Sequence, residues 1–114
     1  MIPFFKAFIG KEEQKAVIDV LEGGWLTTGS INKQFEEEFL NVFGFKEHFS
    51  TSINSNTSGL HIVLDSFKFP AGSEVIVPSL TFTACAATIV YSGLTPVIVD
   101  VNEDNLIDAE IIEK

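Results

Sequence analysis

Residues 72–82 run Gly72-Ser73-Glu74-Val75-Ile76-Val77-Pro78-Ser79-Leu80-Thr81-Phe82, and residues 93–101 run Gly93-Leu94-Thr95-Pro96-Val97-Ile98-Val99-Asp100-Val101. Each holds a short, unbroken apolar run between turn residues. That is the pattern of a strand covered on both faces of a parallel sheet. The spacing predicts strands over 74–77 and 96–99, with a helix over 81–91 between them that Gly93 ends.

The same rhythm extends upstream. His48 to Ile53 is expected as a short strand and Asn54-Ser55-Asn56 as a turn. Thr57 to Phe67 is expected as a helix with Leu60, Val63, Leu64 and Phe67 inward. Pro70-Ala71-Gly72 turns the chain. Strand, helix, strand, helix, strand makes a βαβαβ unit with right-handed crossovers and parallel strands. Before it, residues 1–9 look extended. Lys11 to Glu22 carries Ala16, Val17, Val20 and Leu21 on one helical face, and Gly23-Gly24 stops it. After the loop at 25–30, Ile31 to Phe43 repeats the pattern with Phe35, Phe39, Val42 and Phe43, and Gly44 is its C-terminal cap. Asp108 is placed to cap a last helix from Ala109. The expected fold is α/β: a partial three-layer sheet with βαβαβ crossovers, preceded by two helices. Residues 1–114 are expected to form a single incomplete domain, because that last helix has less than two turns before Lys114.

Composition narrows the function. Seven basic residues against sixteen acidic give a net charge of −9. All the cations are Lys, so the chain has no guanidinium clamp, and an acidic chain is a poor partner for nucleic acid. A hydrophobic content of 46%, with eleven Phe, excludes a solvated coil. The single cysteine, Cys85, allows no intrachain disulfide and fits a reducing, cytoplasmic compartment. Met1-Ile2-Pro3-Phe4-Phe5-Lys6 lacks the form of a secretory signal. Val75 to Val99 is uncharged and long enough to span a bilayer. Pro78, Gly93, Pro96 and many hydroxyls divide it into strand, turn and helix, so no membrane span is expected.

Several residues can carry chemistry. Asn54-Ser55-Asn56-Thr57-Ser58-Gly59 joins a strand to a helix, where amides and the helix dipole favour an anion. It is either a phosphate cradle, with Gly59 allowing close approach, or ordinary capping by Ser55, Asn56 or Thr57. It is neither a Walker motif nor GxGxxG. Pro78-Ser79-Leu80-Thr81-Phe82-Thr83 leaves the C-terminal end of a parallel strand, where open sheets place ligands. Phe82 is there either a flat face for an aromatic cofactor or one more core Phe. Gly24-Trp25-Leu26-Thr27-Thr28-Gly29 holds the only Trp. It either lines a ligand pocket or pins the loop. His48, His61 and Cys85 lack the spacing of a zinc site, and His61 reads as structural. Asp100 reads as a turn or cap residue. Glu12-Glu13 and Glu36-Glu37-Glu38 read as wet helix faces, and no nucleophile elbow supports a Ser-His-Asp triad.

Together these stretches resemble the start of the DegT/DnrJ-type sugar aminotransferases, which are pyridoxal phosphate (PLP) enzymes of aspartate-aminotransferase fold type I acting on nucleotide-linked keto sugars. Ile2-Pro3-Phe4 opens the match. Gly24 to Gly29 looks like the family's Gly-Trp-Leu-Thr-Thr-Gly loop. Asn54 to His61 is similar to its Asn-Ser-Gly-Thr-Ala-Ala-Leu-His turn and helix, with Asn56 where the family has Gly. Gly72 to Phe82 is close to its Gly-Asp-Glu-Val-Ile-Val-Pro-Ser-x-Thr-Phe, and Gly93 to Val101 continues in register. The resemblance implies that Thr57 and Ser58 hold the cofactor phosphate, that Phe82 stacks on the pyridine ring, and that Thr27 and Thr28 lie near the substrate. It also implies a homodimer with cofactor sites at the subunit interface.

The resemblance further implies a lysine that bonds to the cofactor and moves the proton, and a carboxylate that pairs with the ring nitrogen. Both belong to the family beyond position 114. None of Lys6, Lys11, Lys15, Lys33, Lys46, Lys68 or Lys114 matches that lysine. The expectation is therefore an N-terminal fragment or truncated homologue of a nucleotide-sugar aminotransferase, without catalytic residues of its own. Two other readings stay open: a small module that binds phosphorylated ligands, and a non-catalytic interaction protein whose uncovered apolar surface marks an association site.

Overall fold

The computed structural model describes residues 2–3 and 5–113, with Ile111 described by its backbone only. Phe4 of the opening Ile-Pro-Phe, and Met1 and Lys114, lie outside the described residues. Packing separates the chain into two compact units, residues 1–52 and residues 53–114.

The first unit holds α1 (Lys11–Gly23) and α2 (Ser30–Phe43). At the start of α1 the Glu13 carboxylate accepts the Gly10 amide at 2.7 Å, which places an acid against the positive end of the helix. Gly24, at φ 71°, ends α1, and Gly44, at φ 69°, ends α2. Both occupy the left-handed region that a glycine enters without strain. Along α2, Phe35, Phe39 and Phe43 stand four residues apart, with ring centroids 6.4 and 4.7 Å from each other. Phe45 and His48 continue the ladder at 6.0 and 5.2 Å. The helical periods are as expected, but no side chain of α1 or α2 is buried. The apolar faces exist without a cover among the described residues.

One expected element differs. Residues 48–53 form no strand. Their polar groups turn to a side chain instead. The Ser52 amide and hydroxyl donate to Glu36 Oε1 at 2.6 and 2.8 Å, and the Ser50 hydroxyl donates to the Glu36 carbonyl at 2.8 Å. With its amide satisfied by a carboxylate, Ser52 does not pair with a neighbouring strand.

The second unit runs α3 (Asn56–Ser66), β1 (Glu74–Pro78), α4 (Ala84–Tyr91), β2 (Thr95–Val99) and α5 (Ala109–Ile112). The strands β1 and β2 form a parallel pair in the register Glu74–Thr95 to Pro78–Val99. The ladder extends at one end through the Thr95 amide to the Ser73 carbonyl (2.9 Å), and at the other through the Ser79 amide to the Val99 carbonyl (2.7 Å). Its core is Val77, Ile89 and Leu94, with Leu64, Val75, Cys85 and Ala86 against it. Thr88 is the most buried of the described residues, and its hydroxyl donates to the Ala84 carbonyl one turn back at 2.9 Å. Ile76 and Ile98 are exposed, so the sheet is covered on one face among the described residues. Val63 and Phe67, expected inward, are exposed as well, while Leu60 and Leu64 are half-buried. Asp108 caps α5 as expected, its carboxylate accepting the Glu110 amide at 2.8 Å. No described helix is long and apolar enough to cross a membrane.

Candidate functional site

The turn before α3 is built by its own hydroxyls. Ser55 is the N-cap, and its Oγ accepts the Ser58 amide at 3.1 Å. The Ser58 hydroxyl donates to Asn54 Oδ1 at 2.7 Å and stands 3.0 Å from the Ser55 hydroxyl. The Gly59 amide makes the first helical bond, to the Ser55 carbonyl at 3.2 Å. The amides of Asn56 and Thr57 and the Thr57 hydroxyl therefore have no acceptor among the described residues. Those groups sit at the positive end of the helix dipole, on a turn without a charged side chain. That is the donor set an anion needs.

Three details refine the sequence reading. The Thr57 hydroxyl has no partner among the described residues, whereas Ser58 is already engaged with Asn54 and Ser55. Asn56 is the first residue of α3 and has no positive φ; among the described non-glycine residues only Lys68 and Asn105 do. Asn therefore stands at this position at no backbone cost. Gly59 does allow a close approach, but it is that of the Ile53 Cδ1 methyl, which would lie 2.5 Å from a Cβ at residue 59.

Phe82 lies in the turn between β1 and α4 and is 79% exposed, so it is not a core residue. It precedes α4, which begins at Ala84 rather than Thr81. The Cys85 amide bonds the Phe82 carbonyl at 3.0 Å, a tight three-residue step that keeps Thr81 and Phe82 outside the regular helix. Beside it the Ser79 hydroxyl reaches Asp100 Oδ1 at 3.3 Å, and that carboxylate also accepts the Val101 amide at 2.8 Å. Asp100 thus ties the C-terminal ends of β1 and β2 together, the turn role expected of it. The second unit brings the α3 turn and the Phe82 turn into one compact body.

Thr27 and Thr28 belong to the other unit. Their loop is closed by the Trp25 indole N–H, which donates to the Thr28 carbonyl at 3.0 Å. Trp25 lines an open groove of about 640 Å³ between α1 and α2, with Ala16, Val20, Ile31 and Phe35 among its walls. Thr27 and Thr28 do not line it. Sequence reasoning also missed Glu36, which stands in an acidic run yet is half-buried and bonded to Ser52. The Ser52 amide, then the Ser52 hydroxyl, then the Lys33 charge hold its carboxyl below the usual value, against the opposing effect of burial. The neighbouring Glu37 and Glu38 are exposed, as expected. His61 stands 3.8 Å from the Asp65 carboxylate, and its ring centroid is 6.2 Å from that of Tyr91. No described cluster of His, Cys, Asp or Glu is fit to hold a metal.

The sequence matches the family described as DegT/DnrJ/EryC1/StrS aminotransferases over residues 7–114. This chain belongs to that family. Among solved structures this DegT/DnrJ member is similar to Spr1654 of Streptococcus pneumoniae, assigned as a sugar aminotransferase and solved in its PMP form. The TM-score is 0.84 at 34% identity, over 98% of this chain and 28% of that one. It is similar to Helicobacter pylori PseC, an aminotransferase involved in the biosynthesis of pseudoaminic acid, with TM-score 0.84 and 34% identity over 93% of this chain and 29% of that one. It also resembles S. venezuelae DesV, solved with a ketimine intermediate, at TM-score 0.78 and 31% identity over 90% of this chain and 27% of that one. The DegT/DnrJ segment described by these residues thus spans under a third of the length of those relatives.

Proposed function

We propose that this chain forms the N-terminal, cofactor-gripping part of a PLP-dependent sugar aminotransferase, which moves an amino group from an amino acid to a nucleotide-linked keto sugar. The observation that carries the reading is the α3 turn, where unbonded amides and the Thr57 hydroxyl face outward at a helix start within the same compact unit as an exposed Phe82. The residues fit the cofactor's two demands. Its phosphate needs donors without competing carboxylates, which Asn56, Thr57 and, after a hydroxyl rotation, Ser58 provide. Its pyridine ring needs a flat apolar face, which Phe82 provides. When bound, PLP supplies the electron sink of the reaction. The residues of this chain bind and orient: the turn fixes the phosphate end and Phe82 sets the plane of the ring. Thr27 and Thr28 offer hydroxyls to the sugar.

The proposal includes a homodimer in the cytoplasm, as the family resemblance implies. None of the lysines in this chain matches the family's cofactor position, so these 114 residues alone are expected to bind without turnover. Thermal unfolding with PLP, and with inorganic phosphate as control, tests the reading. A ligand that binds the folded state raises Tm with concentration. PLP is expected to raise it more than phosphate does. Equal effects would remove the ring contact, and no effect from either would remove the cradle.

A further inference from the structure

Gly29 is the N-cap of α2, a position where Ser, Thr, Asp and Asn are the usual residues. Its backbone does not call for glycine, since φ is −166°, ordinary extended chain. What calls for glycine is space. A Cβ at residue 29 would stand 2.6 Å from Trp25 Nε1 and 2.7 Å from Trp25 Cδ1. The indole edge therefore lies where any side chain at 29 would be, and from there its N–H reaches the Thr28 carbonyl at 3.0 Å. The next turn is fixed as well. The Gly29 amide donates to Asn32 Oδ1 at 3.0 Å, and the Gly29 carbonyl accepts the Lys33 amide at 3.2 Å. The four-residue loop is thus closed at both ends, while the Thr27 and Thr28 hydroxyls enter no hydrogen bond among the described residues and their residues are exposed. Trp25 itself is 68% exposed, so it adds little to a core. Its role is in the shape of the loop.

We propose that Trp25 is a positioning residue: its indole, seated over Gly29 and bonded to the Thr28 carbonyl, presets the loop so that Thr27 and Thr28 meet the sugar in one conformation. This deepens the aminotransferase reading and rests on it for the identity of the ligand. A preset loop loses less conformational freedom on binding, so removing the clasp weakens affinity without removing a contact to the ligand.

Trp25 is the only tryptophan, so its indole N–H gives one NMR signal that reports the clasp directly. In the full chain its hydrogen exchange is expected to be about fivefold slower than that of a free indole, the factor given by a hydrogen bond of ordinary net strength. Gly29→Ala pushes the ring aside and Trp25→Phe removes the donor. Both should shift the Thr27 and Thr28 amides and leave those of β1 and α4 unmoved. In a titration with UDP-glucose, the wild-type Thr27 and Thr28 amides should move on binding, with about fivefold weaker affinity in either variant. An unprotected indole, or variants that bind as the wild type does, would overturn the proposal. If the sugar nucleotide moves no wild-type amide while the indole is protected, the clasp stands, and both the positioning of a sugar and the substrate reading fall.

Discussion

The Ile53 side chain lies over Gly59, with its Cδ1 methyl where a Cβ at 59 would intrude at 2.5 Å. This contact joins the residue before the anion turn to the first turn of α3. It gives Gly59 a packing reason for a position inside a helix, where glycine costs about 1 kcal/mol relative to alanine.

Gly59→Ala should therefore be near neutral in stability, the helical gain being offset by displacement of Ile53. In an Ile53→Ala background the same substitution should stabilise by about 0.5–1 kcal/mol. Urea unfolding of the double-mutant cycle measures the difference. Equal effects in both backgrounds would show that the two side chains do not interact.

Within the turn, stability and affinity should separate. Ser55→Ala removes the N-cap bond to the Ser58 amide and should cost about 1 kcal/mol. Thr57→Ala removes a hydroxyl that has no partner among the described residues. It should leave stability within about 0.5 kcal/mol and weaken PLP binding. Denaturant unfolding and a PLP titration of each variant check the pair.

Phe82 and Ile89 should separate in the same way. Ile89 is 3% exposed in the Val77–Leu94 core, so Ile89→Ala should cost about 2–5 kcal/mol. The exposed Phe82, replaced by Ala, should change stability by under about 0.5 kcal/mol and lower the affinity for PLP but not for inorganic phosphate. Thermal unfolding with each ligand reads both effects.

Glu36 should give a pH-dependent hold on residues 50–52. The Ser52 amide and hydroxyl hold its carboxyl below the ordinary carboxylate value. Its contribution is therefore present above the ordinary carboxylate range and lost as pH falls through the lowered folded-state value. The protection of the Ser52 amide, its exchange rate relative to the intrinsic rate at each pH, should fall at acid pH in the wild type. In Glu36→Ala that protection should be low at every pH.

Much of this was legible in the chain. Val75–Val77 and Pro96–Val99 gave both strands, the glycines at 24, 44 and 93 ended the helices, and Asp108 announced its cap. The segment 48–53 departs from the expected strand because β-prone residues such as Phe49, Thr51 and Ile53 say nothing of a segment's hydrogen-bond partner, and here that partner is Glu36. The acidic run 36–38 hid this, since only the third dimension distinguishes Glu36 from Glu37. The apolar residues of α1 and α2 fall at the helical period as expected, but periodicity reports a face and not what covers it, and no side chain of either helix is buried among the described residues. At the candidate site, Thr57, Ser58 and Phe82 were singled out through the family resemblance. The engagement of Ser58 and the freedom of Thr57 depend on hydroxyl geometry that sequence does not encode. Gly29 was visible as a motif residue, and its reason, the Trp25 ring, was not.

The most direct test of the central claim is a PLP titration of the isotope-labelled chain followed by amide NMR. The account predicts that the Asn56, Thr57 and Ser58 amides and the Phe82 ring signals move together, with inorganic phosphate moving the amides alone. Movement confined to other residues, or none at millimolar PLP, would contradict it.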